Sequence, residues 1–288
     1  MTVVFVSIVL QSLPFILLGV LASALVQEFL SDELLGRWLP RGRLPVILLA
    51  SIFGFVAPVC DCGVIPLARR LGAKGVPLHA TTAFIVAAPV VNPVVLLATW
   101  VAFQGSWTVV ALRMAMTWSV AVLLGLLVAG LGLASRLPAP VPRGGGETVP
   151  GSRSFGGFVT HATAEFSDVI FFVVLGALFT AVTQTFVPRG DLLALGSTQV
   201  ASVAALMPVA TLLSICSEAD AFVARAFATT FSLGAVLAFM TIGQIVDLRN
   251  GFLLFRALPA RVVALVAGFS YVAVFAQGVL VNALVSPP

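Results

Sequence analysis

The sequence predicts an all-α protein that crosses a membrane several times, and its composition and hydropathy pattern are the observations that predict it. Of the 288 residues, 60% are hydrophobic and only 9% are charged, and the mean hydropathy is +1.15. Because a soluble domain carries about 25% charged residues, this chain cannot build a water-facing surface. Apolar windows of about twenty residues recur along the chain, and each is long enough to cross the hydrocarbon core as a helix.

The apolar segments set the predicted spans. The first contains Ala22-Ser23-Ala24, which resembles a signal-peptide cleavage site, but no basic residue precedes it. We therefore expect a permanent helix. The net charge of +4 comes from short basic clusters between apolar runs, which orient membrane helices and do not indicate nucleic-acid binding. The predicted apolar segments are 3–27, 44–59, 76–102, 107–134, 157–187, 201–216, 230–248 and 259–285.

One segment interrupts this pattern and divides the chain into domains. Residues 135–157 are rich in proline and glycine and carry three arginines. Such a segment cannot bury enough apolar surface to fold, and it is typical of a linker. We predict an N-terminal transmembrane repeat over 1–134, a cytoplasmic linker over 135–157 and a C-terminal transmembrane repeat over 158–288.

The two halves repeat each other weakly. Leu18-Gly19 recurs as Leu175-Gly176, Cys60 recurs as Cys216, and Ala83-Phe84 recurs as Ala238-Phe239. The order of these matches is kept, and the offset between them stays close to 156 residues. Internal repeats of this kind are typical of secondary transporters.

The distribution of lysine and arginine distinguishes two topologies. If residues 44–71 cross the membrane fully, each half has four spans, and the basic residues other than Arg113 split seven to seven between the two sides. If this segment turns at its break near 58–63 and returns, twelve of the fifteen basic residues lie in the cytoplasm, as the positive-inside rule requires. Each half then has three transmembrane helices and one re-entrant hairpin, and the odd number makes the repeats inverted. Eight full spans are the alternative.

The tip of the first predicted hairpin carries several residues that could bind a substrate. Gly63 permits close backbone approach, and Pro66 fits the first turn of a new half-helix, where its missing N–H is harmless. Asp61 is a good N-cap residue. The candidate substrate-binding residues of this tip are Cys60, Asp61, Cys62, Gly63 and Pro66.

The second predicted tip also has the features of a helix start. Ser217, with Asp220 three residues later, has the form of a capping box, and Asp61 aligns with Ser217 at the repeat offset. Two facing half-helix N-termini would suit an anion or thiolates. Because carboxylates within a membrane are costly and usually functional, Glu218 and Asp220 are candidates for substrate binding and proton coupling. Pairing of these carboxylates with Arg225 is the alternative.

All three cysteines lie on these tips. Cys60, Cys62 and Cys216 are candidate ligands for a soft metal or metalloid, because thiolates select soft ions. A thiol near a helix N-terminus is also more reactive. The alternative is that cysteine acts here as a small apolar filler.

A second group of candidate residues lies on the third span of each half. Pro89 and Pro93 each remove a backbone hydrogen bond and interrupt the helix beside Asn92. The matching place in the second half carries Gln244 and Asp247. These five residues could line a central cavity, or form a simple kink whose polar groups are satisfied locally.

Four motifs resemble one permease family. The chain reads Cys-x-Cys-Gly-Val-Ile-Pro-Leu at 60–67, Lys-Gly-Val-Pro at 74–77, Ala-Phe-x-x-Ala-Ala-Pro-x-x-Asn-Pro at 83–93 and Cys-Ser-Glu-Ala-Asp-Ala-Phe at 216–222. In these motifs the chain resembles the predicted permease family that includes ArsP and YraQ. The resemblance covers nearly the whole chain outside the linker.

The resemblance implies a permease of the cytoplasmic membrane that exports a small thiophilic solute, such as the trivalent organoarsenical methylarsenite, or that confers resistance to heavy-metal ions. The family usually has serine between the first two cysteines, whereas this chain has Asp61. The family is often described as having eight spans. Its members are transporters, and no nucleotide loop, zinc-enzyme spacing or Ser/His/Asp arrangement is visible in the sequence. We therefore expect neither an enzyme nor a cofactor.

Two other functional classes stay open. One is a permease for a different small solute, such as a sulfur-containing anion held by the half-helix N-termini. The other is a membrane thiol oxidoreductase that uses Cys60 and Cys62. The predicted partners are the lipid bilayer and the small solute, and the sequence does not indicate an oligomeric state.

Overall fold

The described part of the chain is built from helices alone. The computed structural model describes residues 42–55, 61–133 and 199–285, together with single positions in 6–17, at 40 and in 163–178. The predicted linker, residues 56–60, the side chains of Asp61 and Cys62, and most of the segments 3–27 and 157–187 lie outside the described residues.

The first half contributes five described helices. A 3-10 turn at Phe53–Phe55 extends the first of them, and residues 88–92 separate the third from the fourth. The helices are α1 (Arg43–Ile52), α2 (Asp61–Ala73), α3 (Leu78–Ala87), α4 (Pro93–Ala102) and α5 (Trp107–Gly130).

The second half contributes five further described helices, and the longest again comes last. Turns at 214–219 and 228–232 and a short break at 246–247 separate them. The helices are α6 (Gln199–Leu213), α7 (Asp220–Phe227), α8 (Leu233–Ile245), α9 (Leu248–Ala257) and α10 (Ala260–Val285).

The two longest described helices could each cross a membrane. α5 has 24 residues and α10 has 26, and both are strongly apolar. The other described helices have 8 to 15 residues. At 1.5 Å per residue, a helix of ten residues is only about 15 Å long, or half of the hydrocarbon core.

The helices pack in the same way in both halves. In the first half α3 lies against α1, α2 and α5, and in the second half α8 lies against α6, α7 and α10. The halves also exchange contacts reciprocally, because α2 packs on α9 of the second half while α7 packs on α4 of the first. Most of the buried apolar side chains form one continuous cluster that runs through both halves.

The starts of two short helices lie beside the end of the long helix in each half. Val46 of α1 packs with Val76 and Ala80 at the start of α3, and the Arg43 guanidinium approaches the carbonyl oxygen of Ala129 in α5 at 3.5 Å. The first residues of α1 and α3 and the last residues of α5 are therefore at the same end of the first half.

In the second half, hydrogen bonds hold the starts of two helices, α6 and α8, beside the end of the long helix α10. The Ser202 hydroxyl in α6 lies 3.0 Å from the Ser232 hydroxyl before α8. In α10, the Asn282 carbonyl oxygen accepts from the backbone N–H of Gly234 at 2.7 Å, and its NH₂ group donates to Ser232 at 2.9 Å. Asn282 therefore ties the end of α10 to the starts of α6 and α8.

Glycine permits the closest of these contacts. Gly234 of α8 faces Gly278 of α10, and a Cβ atom on Gly234 would overlap the Gly278 carbonyl oxygen and the Asn282 side chain. The backbones of two buried helices can approach this closely only where neither carries a side chain.

The prolines confirm one local prediction and correct another. α3 ends before Pro89, and Pro93 is the first residue of α4, where its missing N–H needs no partner. The expectation that Pro66 lies in the first turn of its helix is wrong, because Pro66 is the sixth residue of α2. The helix begins at Asp61, directly after Cys60, so the chain becomes helical before the proline instead of at it.

Candidate functional site

A buried ion pair joins the two halves. Arg113, two turns into α5, is fully buried, and Asp220, the first residue of α7, is 3% exposed. The Arg113 Nη2 atom lies 2.9 Å from Oδ1 and 2.8 Å from Oδ2 of Asp220. Because an isolated charge in such a place is very unfavourable, each group requires the other.

Three further polar groups complete this network. Arg113 donates through Nη1 to the Thr99 hydroxyl of α4 at 2.6 Å and through Nη2 to the Ser217 carbonyl oxygen at 3.3 Å. The Gln244 Nε2 group of α8 donates to Asp220 Oδ2 at 2.6 Å. Four helices and the turn before α7 therefore meet at one pair of charges, which fixes the position of this turn.

The second tip departs from the predicted capping box. α7 begins at Asp220, its N-cap residue is Ala219, and no side chain caps it. The Ser217 hydroxyl is buried and has no hydrogen-bond partner among the described residues. The capping-box prediction is wrong because Asp220 pairs with Arg113, and the carboxylate cannot also turn back toward the Ser217 backbone.

The alternative pairing with Arg225 is also corrected. Arg225 is exposed on α7, and its guanidinium lies 6.0 Å from the centre of the Phe103 ring at the end of α4. This is a cation–π contact between the halves. The buried partner of Asp220 is Arg113, which lies 107 positions away in the sequence.

The thiol of the second tip contacts a carboxylate. The Cys216 Sγ–H group donates to Oε2 of Glu218, two residues later. The other carboxylate oxygen of Glu218, Oε1, is buried and has no hydrogen-bond partner among the described residues. A proton acceptor therefore lies directly beside a half-buried thiol, one turn from the Arg113–Asp220 pair.

A small cavity lies between the two halves beside this network. Its volume is about 10 Å³, which is room for one water-sized body. Gln244 is part of both the charged network and the cavity wall, because its NH₂ group contacts Asp220 and the residue lines the cavity. The cavity is lined by Ile65, Ile85, Val86, Pro89, Gln244, Ile245, Asn250, Leu254 and Val266.

The network has no polar counterpart at the matching positions of the other half. At the offset of 156 residues, Val64 stands where the second half has Asp220. Gly125 and Gly278 occupy matching places in α5 and α10, and by that alignment Val266 stands where the first half has Arg113. Each half therefore contributes one charge to the pair, and each has an apolar residue at the position that matches the other half's charge.

Some of the remaining predicted residues cap or begin helices, and the others lie outside the described residues. Asn92 accepts a hydrogen bond from the Val94 backbone at 2.9 Å and caps α4, and Asp247 likewise caps α9 by accepting from the Asn250 backbone. Gly63 lies in the first turn of α2. Cys60 and the side chains of Asp61 and Cys62 lie outside the described residues. Within 42–55, 61–133 and 199–285 the structure contains no group of three or more metal-ligating side chains.

Arg113, Thr99 and Asn250 are site residues that the sequence analysis did not select. Arg113 carried a signal, since a lone arginine within an apolar segment is a functional candidate that needs a named partner. Thr99 and Asn250 carried none, because a threonine in an apolar helix and an asparagine near a helix start are both common.

The comparisons with known proteins agree with this architecture. Residues 1–283 match the family model of ArsP type described as "Predicted permease". The chain is 38% identical over 281 residues to "UPF0718 protein YcgR" of Bacillus subtilis, covering 97% of this chain and 96% of that protein. It is 31% identical over 270 residues to the "Putative two-component membrane permease complex subunit" of Streptococcus mutans, covering 93% and 90%.

No solved structure matches the chain. The family model spans nearly the whole chain, both long helices are apolar enough to cross a membrane, and charged side chains are paired where the two halves meet. The protein belongs to the predicted permease family of the ArsP type.

Proposed function

We propose that the protein is a secondary permease that exports a small thiophilic solute, a metalloid or metal species such as a trivalent organoarsenical. The observation that carries this proposal is the contact between the Cys216 thiol and the Glu218 carboxylate at the break before α7. Soft thiolate ligands select soft ions, and Cys60 and Cys62 of the first tip would provide the further thiols.

The contact supplies the proton transfer that thiol exchange requires. When the sulfur of Cys216 bonds to a hydroxylated trivalent arsenic, the thiol proton passes to Glu218 and the arsenic–oxygen bond breaks. The departing hydroxide then takes the proton from Glu218 and leaves as water. The step is reversible and needs no redox partner, so a solute can move from one thiol to the next without being trapped.

We further propose that Glu218 and Asp220 couple transport to the proton gradient. A proton on Asp220 would remove one charge of the buried pair with Arg113, and the second tip would lose its main attachment to α4 and α5. Since four helices and the turn before α7 meet there, this change would loosen the packing between the halves.

The proposed topology has re-entrant hairpins in two inverted repeats within the cytoplasmic membrane. If residues 44–71 crossed the membrane fully, Val46 and Val76 would lie on opposite sides, whereas they pack together. The approach of Arg43 to Ala129 supports the same arrangement. One hairpin and three transmembrane helices per half give an odd number, and the second half then has the opposite orientation.

A permease for a small anion is the second candidate. The Arg113 guanidinium favours it, because this buried cation would be available to an anion once Asp220 is protonated. A sulfur-containing oxyanion such as sulfite or thiosulfate would fit this chemistry.

The name of the Streptococcus mutans relative as a subunit of a two-component complex supports a further proposal, that this chain also acts with a second membrane component. Purification in mild detergent, followed by mass determination of the intact complex, tests it. A monomer with full transport activity after reconstitution contradicts it.

Transport assays in everted vesicles test the substrate. We expect uptake of methylarsenite or a soft divalent metal by wild type, and at least a tenfold loss in Cys216→Ser and Glu218→Gln. Arg225→Ala, at an exposed position of α7 shortly after the turn that carries these two residues, is the matched control and should keep its uptake. If sulfite or thiosulfate is taken up instead and Cys216→Ser is unaffected, the anion permease replaces the thiophilic one.

A further inference from the structure

Two buried amide oxygens line the cavity between the halves. Gln244 and Asn250 are each 4% exposed, and both line the cavity of about 10 Å³. Neither Gln244 Oε1 nor Asn250 Oδ1 has a hydrogen-bond partner among the described residues. Since a buried polar atom without a partner is unfavourable, two such atoms at one cavity indicate a ligand.

The hydrogen bonds fix which end of each amide is available. A carboxylate only accepts hydrogen bonds, so the contact with Asp220 must come from the Gln244 NH₂ group. The Asn250 NH₂ group donates to the backbone carbonyl oxygen of Gln244 at 3.4 Å. The carbonyl oxygens are therefore the ends of both side chains that remain available, and a ligand that they bind must be a cation or a hydrogen-bond donor.

The helix end beside the cavity has the same polarity. α8 ends at Ile245, next to Gln244, and the last carbonyl groups of a helix form the negative end of its dipole. Asp247, whose carboxylate caps α9, lies between Gln244 and Asn250 in the sequence. An interrupted helix that ends in carbonyl groups beside a carboxylate is a setting in which transporters bind sodium ions.

We propose that this cavity binds a monovalent cation of the size of Na⁺ between the two halves. The oxygen atoms are Gln244 Oε1, Asn250 Oδ1 and carbonyl groups at the end of α8, and Pro89 closes the cavity from the first half. The ligands are hard oxygen donors, so this site is chemically distinct from the thiols at the second tip.

Gln244 would connect this cation to the buried ion pair. Its NH₂ group contacts Asp220, its Oε1 atom has no partner among the described residues, and the residue lines the cavity. A bound cation holds the amide in the orientation that stabilises the ionised Asp220. Cation binding and the attachment of the second tip therefore support each other through a single side chain.

Thermal unfolding of the purified full chain in detergent tests the site without any transport substrate. We compare equal concentrations of sodium, potassium and choline chloride. At a saturating concentration of sodium, the midpoint temperature of unfolding should be about 5 °C higher than in choline chloride. Asn250→Ala should abolish this difference while leaving the contact between Gln244 and Asp220 intact. Asn92→Ala, which removes a buried amide that caps α4 and does not line the cavity, is the control and should keep the difference.

A second experiment measures the binding of radioactive sodium to wild type, Asn250→Ala and Gln244→Leu. It keeps the proposal testable if one of the two variants does not fold. Sodium binding by wild type that falls at least tenfold in the folded variant supports the proposal. Equal midpoints in all three salts with no sodium binding by wild type overturn it, and the cavity is then a site for water only. Sodium binding that persists in both variants also overturns it, because the cation then binds elsewhere.

Discussion

Arg113 and Asp220 form an ion pair across the two halves of the protein, with 2.8 Å between Nη2 and Oδ2 and both side chains buried. Thr99 and Gln244 hold the two charged groups from either side. The pair therefore brings together α4 and α5 of the first half with α7 and α8 of the second.

Removal of one charge of this pair should be strongly destabilising. Asp220→Ala leaves the Arg113 guanidinium buried without its partner, and we expect a loss of about 3–5 kcal/mol in the free energy of unfolding. Denaturant unfolding of the purified protein measures this loss. Arg225→Ala removes an exposed arginine from the same helix and should change the stability by less than about 1 kcal/mol.

A double variant separates the stability of the pair from its function. Arg113→Met with Asp220→Leu replaces both charges by apolar side chains, which is often nearly neutral in a buried place. We expect the double variant to recover most of the stability lost in Asp220→Ala but to remain inactive in transport. A double variant with normal transport would show that the pair is only structural.

Close packing between α8 and α10 predicts that replacing two different glycines by alanine has different effects on stability. Gly234→Ala places a methyl group against the Gly278 carbonyl oxygen, and we expect a loss of at least about 1–3 kcal/mol or failure to fold. Gly268→Ala in α10 meets no atom within 4 Å and should be neutral or slightly stabilising. Melting temperatures of the two variants, measured in the same detergent, test this prediction. Equal melting temperatures would contradict the close contact between α8 and α10.

Cysteine labelling tests the topology. In a background without native cysteines, single cysteines replace Arg37, Lys74 and Gly105. We expect the positions at 37 and 74 to react only from the cytoplasmic side, and the position at 105 only from outside. Labelling of 37 and 74 from opposite sides would establish eight full spans.

Asp61 is the position where this chain departs from the family pattern. α2 begins at this residue. Asp61→Ser keeps a good capping residue, and a purely structural role predicts unchanged transport. We expect instead a changed ratio of methylarsenite uptake to soft-metal uptake, measured in everted vesicles at two pH values. Unchanged ratios at both pH values would reduce Asp61 to a helix cap.

The sequence by itself determined the class of the protein and the places where its helices break. Composition alone excludes a soluble fold, and Pro89 and Pro93 end α3 and start α4 because proline lacks an N–H. The family resemblance is also visible in short sequence motifs, and the family model matches residues 1–283. Each of these features depends on residues near one another in the sequence.

Only the tertiary structure decided which polar groups meet. Arg113 and Asp220 are far apart in the sequence, and the helical period shows the face on which a side chain lies but not the helix that covers it. Ser217 has the form of a helix cap, yet the buried charge of Arg113 takes the carboxylate that would complete the capping box. Within a membrane the energy of pairing buried charges exceeds that of a local cap, so long-range packing determines the site.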